Sequence, residues 1–172
     1  EKALEVLVKV LEDFKQEPMV RHEAAEALGA IGSKESLSVL EKYLTDKTVE
    51  VAETCELALE RIKWLQETQN TKEILSQNPY HSVDPAPPST ETDIKALSDI
   101  LLNPKETLFN RYRAMFTLRN MRNKDSILAL CEGLKHGSAL FKHEVAFVLG
   151  QVQDEISVPF LTQSLKDCEE NE

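Results

Sequence analysis

Val20, Ala24, Ala27, Leu28 and Ile31 are spaced as one stripe of a helix, and Leu37, Val39, Leu40 and Leu44 follow as the apolar face of a second. The arrangement repeats. Arg21–Gly29 reads Arg-His-Glu-Ala-Ala-Glu-Ala-Leu-Gly, and 121 residues later Lys142–Gly150 reads Lys-His-Glu-Val-Ala-Phe-Val-Leu-Gly. Arg111–Arg119 shares that apolar pattern 31 residues before the Lys142 segment, and Val51–Ala58 lies 30 residues after the Arg21 segment. Between these first helices the pattern predicts second helices over 34–44, 124–135 and 155–166. Each follows a residue able to cap it, namely Ser33, Asn123 and Asp154.

The unit is therefore a helix pair of about 30 residues. Neither helix can bury its apolar side alone, so pairs must stack on one another. The predicted fold is all-α, a HEAT-type α-solenoid in two pseudo-symmetric halves. The rhythm breaks between Gln66 and Thr92, where the chain is polar and Asp84-Pro85-Ala86-Pro87-Pro88 cannot be helical. This divides the chain into an N-terminal half at 1–66, a proline-rich linker at 67–92 and a C-terminal half at 93–172. Leu4–Asp13 resembles Val158–Asp167, a second helix that follows a His-Glu helix, and Asp167–Glu172 parallels Asp13–Pro18. Repeat register thus predicts one further His-Glu helix before residue 1 and another after residue 172, four pairs in a complete protein.

The composition agrees with helix: aromatics are 6% of the 172 residues and glycines number 5. A net charge of −10 argues against nucleic acid as the main ligand and permits a cationic partner. No apolar run reaches the roughly 18 residues that span a bilayer. Cys55, Cys131 and Cys168 are odd in number and far apart, which suits a reducing cytosol better than a disulfide framework or a zinc site.

The repeated His-Glu step carries the chemistry. Histidine and carboxylate are ligands of redox-capable iron. Adjacent residues on a helix diverge by about 100°, so His22 and Glu23, like His143 and Glu144, need donors from other helices to enclose a metal. Glu26 and Phe147 stand where a zinc-protease His-Glu-x-x-His would place its second histidine, and the order is not the Glu-x-x-His of ferritin-like bundles. Gly29 and Gly150 each lie seven residues past their histidine, with Ala25 and Ala146 between. A helical glycine costs about 1 kcal/mol against alanine, so its presence in both copies predicts a close approach there, one that brings ligands of the two halves within reach. Ala52-Glu53 and Tyr112-Arg113 replace the pair in the other first helices, so it is not part of the scaffold. His81 and His136 are expected at the surface, and Cys55 and Cys131 in the core.

Met19–Gly32, Ser82–Pro88, Arg111–Arg119 and Gly137–Glu144 together resemble the deoxyhypusine hydroxylases, and the likeness extends through the linker. That family consists of HEAT-repeat di-iron monooxygenases with four His-Glu motifs. They hydroxylate deoxyhypusine on eukaryotic translation initiation factor 5A, using O₂. The resemblance implies a partial chain holding the second and third motifs, with His22, His143 and Glu144 as iron ligands. Glu23 is then either an iron ligand or the group that holds the substrate amine. It implies two irons per complete protein, no catalytic residues beyond the ligands, a monomer and a cytoplasmic location. The competing readings are a non-catalytic HEAT scaffold that binds protein on its concave face and a HEAT-like chromophore lyase.

Overall fold

The computed structural model describes residues 2–68 and 75–167, and every regular element among them is helical. The α-helices are α1 (Lys2–Glu12), α2 (Pro18–Ile31), α3 (Leu37–Lys42), α4 (Val49–Glu67), α5 (Ile94–Leu102), α6 (Leu108–Met121), α7 (Lys124–Gly133), α8 (Ala139–Val152) and α9 (Val158–Lys166). All three predicted caps form: Ser33 accepts the amide of Glu35 at 3.3 Å, Asn123 that of Ser126 at 2.9 Å, and Asp154 that of Ile156 at 2.9 Å. After Ser33 and Asp154 the chain first makes a 3₁₀ turn, Lys34–Ser36 or Glu155–Ser157, before α3 and α9 begin. Among the described residues no helix is long and apolar enough to cross a membrane.

The chain divides into two compact units. Unit 1 comprises residues 1–73 with 83–86, and unit 2 comprises residues 74–82 with 87–172. In unit 1, α2 packs chiefly on α4 and on α1, enclosing Leu11, Leu28, Leu40, Val51 and Ile62 completely. In unit 2, α5 packs on α6 and α7, and α8 on α6 and α7. There Tyr112 meets Phe116 and Phe141 edge-on, with centroids 6.2 and 5.8 Å apart.

The buried face of α2 keeps Ala24 and Leu28 of the predicted stripe but not its two ends. Val20 and Ile31 are 43% and 50% exposed, and Leu44 is exposed as well, while Arg21, His22, Ala24, Ala25, Leu28 and Gly29 are buried. Arg21 causes the rotation. Its Nε donates to the Leu11 carbonyl near the end of α1 at 2.9 Å. Its Nη1 and Nη2 donate to the two carboxylate oxygens of Asp46 at 3.2 and 2.6 Å. The guanidinium also lies over the rings of Phe14 and Tyr43, 4.5 and 5.5 Å from their centroids. A charge enters a protein interior only when its donors are met in this way, and turning Arg21 inward turns Val20 outward.

Replacing Arg21 with alanine leaves the Asp46 carboxylate buried without its guanidinium, so unfolding free energy should fall by about 3 kcal/mol, read from the urea midpoint. Hydrogen bonding from Arg21 holds the Asp46 carboxyl below its ordinary value. Protonation therefore favours the unfolded chain. The stability gap between the wild type and Asp46→Asn should be full above about pH 4 and should shrink as pH falls through the native Asp46 value. Urea titrations at several pH values check both.

Candidate functional site

His22 is the fifth residue of α2, directly after the Arg21 clamp. That placement buries its side chain to 7% exposure, while the Glu23 side chain, a hundred degrees further round, remains 66% exposed. His22 Nε2 lies 3.9 Å from Glu23 Oε1 and 2.9 Å from the Met19 sulfur. A thioether is a weak acceptor on a flexible, here 56% exposed, side chain, so it yields its place to a stronger partner at little cost. Glu26 follows His22 by four residues and shares its face of α2. Burial pushes the Glu26 carboxyl above its ordinary value, and the charges of Glu23 and Asp84 push it further. Glu26 and Asp84 escape the sequence reading: Glu26 serves there only to exclude a zinc-protease motif, and Asp84 only to mark the linker.

His143 and Glu144 occupy the matching fifth and sixth positions of α8, whose N-cap Ser138 accepts the Phe141 amide at 3.2 Å. Here the imidazole is exposed and Glu144 is half-buried. The counterpart of Glu26 is Phe147, 53% exposed. His22 and Glu23 thus belong to unit 1, and His143 and Glu144 to unit 2.

The donors in each unit are of the right kind for iron, a nitrogen and a carboxylate, and the Met19 contact on the His22 ring is a weak one. Their number falls short of a ligand sphere: among the described residues no three His, Cys, Asp or Glu are grouped to hold a metal ion. The thiols do not add donors. Cys55 and Cys131 are buried in the core as expected, and burial pushes their pKa values up to about 12 and about 11. His81 and His136 are both exposed, also as expected. Cys168 lies outside the described residues.

The two glycines differ. A Cβ on Gly29 would stand 2.7 Å from the Cβ of Ala58, so this glycine exists to let α2 and α4 touch within unit 1. Around Gly150 nothing lies within 4 Å. The expectation of one close approach shared by both copies therefore holds for Gly29 alone, and its cause is helix packing within a unit. Gly29→Ala should cost about 1–3 kcal/mol through overpacking. Gly150→Ala should stabilise α8 by up to about 1 kcal/mol through helix propensity. Thermal unfolding of the two variants side by side checks the contrast.

Residues 1–60 match the family model for HEAT repeats, and residues 111–136 and 141–167 match that for the PBS lyase HEAT-like repeat. The chain is 57% identical over 171 residues to deoxyhypusine hydroxylase of Drosophila pseudoobscura pseudoobscura, covering 99% of this chain and 56% of that protein. With deoxyhypusine hydroxylase of Homo sapiens the identity is 54% over 170 residues, covering 99% of this chain and 55% of that one. A solved structure of human deoxyhypusine hydroxylase in complex with glycerol matches with a TM-score of 0.92 at 54% identity, over 99% of this chain and 58% of that one. The chain spans about half the length of the curated relatives it matches. Its helix pairs, its paired His-Glu steps and these likenesses lead to one conclusion: the chain belongs to the deoxyhypusine hydroxylase family of HEAT-repeat proteins.

Proposed function

We propose that the chain forms part of a di-iron monooxygenase that hydroxylates the deoxyhypusine side chain of eukaryotic translation initiation factor 5A with O₂. The observation that carries this reading is the His-Glu step at the same two positions of α2 and α8, in a chain 51–57% identical to deoxyhypusine hydroxylases. His22, His143 and Glu144 act as iron ligands. Glu23 is either a further ligand or the carboxylate that receives an ammonium group of the substrate, a role its exposure suits. Bound iron would supply the activation of O₂ that an unreactive C–H bond requires.

The chain's own residues do the rest of the work. The Arg21 clamp sets the rotation of α2 and thereby buries the His22 ring beside an exposed carboxylate. A net charge of −10 draws a substrate segment that carries amines. A monomer in the cytoplasm completes the reading, and the free thiols of Cys55 and Cys131 accord with a reducing compartment.

The test needs a protein of full family length carrying these residues. His22→Ala and His143→Ala should each remove at least about half of the bound iron and more than about 99% of hydroxylation, with the helical circular dichroism retained. A parent protein that purifies without iron and does not convert deoxyhypusine would instead favour the scaffold reading. The 172-residue chain, with one imidazole–carboxylate pair per unit, should bind Fe(II) weakly and show no turnover. Tight stoichiometric iron together with activity in this polypeptide would refute the need for donors beyond these two pairs.

A further inference from the structure

Arg61, half-buried on α4, reaches two segments at once. Its Nη1 donates to the carbonyls of Gly29 at 2.8 Å and Ala30 at 3.3 Å, in the last turn of α2, and its Nε donates to the carbonyl of Asp84 at 3.1 Å. Carbonyls at a helix C-terminus lack partners within the helix, so the first two bonds anchor the guanidinium. The third makes it a tie. The planar guanidinium holds its acceptors in fixed relation, which a lysine ammonium does not.

Pro85 in the tied segment, and Pro87 and Pro88 just after it, contribute no amide donors. Yet Val83–Ala86 packs with unit 1, and Ala86 is completely buried. The Asp84 carboxylate acts electrostatically on Arg61 and on Glu26 alike, and its own carbonyl is the one Arg61 holds.

We propose that Arg61 is a positioning residue: it straps Val83–Ala86 onto unit 1 and so holds the Asp84 carboxylate within electrostatic reach of Glu26 on the His22 helix. On the hydroxylase reading, and resting on it for this point alone, the strap adds a carboxylate to the edge that an amine-bearing side chain meets.

The strap is tested without iron or substrate, so its failure would leave the hydroxylase reading standing. In the 172-residue chain, a protease that cuts before aspartate should cleave the Val83–Asp84 bond at least about tenfold faster in Arg61→Ala. Arg61→Lys, which keeps the charge and is the milder change should the alanine variant fold poorly, should give an intermediate rate. A second readout separates position from charge. In ¹³C spectra of the side-chain carboxyls, Asp84→Asn should lower the Glu26 pKa, because a neighbouring negative charge is gone. Arg61→Ala should lower it as well, because Asp84 leaves with the strap, whereas loss of a cation acting by charge alone would raise it. Wild-type cleavage rates in both Arg61 variants, or a Glu26 pKa that rises in Arg61→Ala, would overturn the proposal.

Discussion

A guanidinium at the fourth position of the first helix in a pair sets the rotation of that helix, and the candidate site follows from that rotation. Arg21 on α2 and Arg111 on α6 solve the same problem alike. Each sends Nε to the carbonyl ten residues earlier, Leu11 or Leu101, at 2.9 Å. Each also lays its planar cation over an aromatic ring, Phe14 at 4.5 Å or Phe141 at 3.8 Å. One side chain thus caps the preceding helix and buries its own charge. A stacked-helix protein gains register from such a contact as well as stability, because a helix turned by one residue would leave a guanidinium in the core without partners.

Once position four is fixed, position five has no freedom of its own. In α6 it is Tyr112, packed edge-on to two aromatic rings and almost wholly buried. In α2 it is His22, buried in its own unit with its Nε2 2.9 Å from the Met19 thioether and 3.9 Å from the Glu23 carboxylate. The same scaffold position therefore holds a packing aromatic in one repeat and an imidazole in another, a change of chemistry that leaves the fold unaltered. The contact of Gly29 with Ala58 belongs to this logic. It allows α4 to close on the helix that carries His22, and so brings Arg61 to the carbonyls at the end of that helix.

The helix pairs, their starts and their caps were legible in the sequence because they depend on local rules. Ser33, Asn123 and Asp154 each cap the helical segment they precede. The buried face of α2 was legible only in part: apolarity finds Ala24 and Leu28 but also points to Val20 and Ile31, while Arg21 turns inward to meet Leu11 and Asp46, ten and 25 residues away. The divergence of His22 from Glu23 was legible from helix geometry. The Glu26–Asp84 relation was not, because it joins residues 58 positions apart through a proline-rich segment whose course depends on Arg61. The paired glycines misled for a related reason. Sequence identity at Gly29 and Gly150 is real, but only Gly29 has a neighbour that needs the space.

The two His-Glu helices are consequently alike in motif and unlike in surroundings. On α2 the residue one turn past the histidine is a half-buried carboxylate whose proton affinity is raised by burial and by two further negative charges. On α8 the same position is an exposed phenylalanine. Bringing carboxylates together in a partly dry place costs electrostatic energy. Such a cost is tolerated where a cation offsets it. Arg61 does so on the Asp84 side, leaving the Glu23 side facing solvent. The repeat thus keeps its motif while differing in charge one turn further on, with Glu26 in one copy and Phe147 in the other.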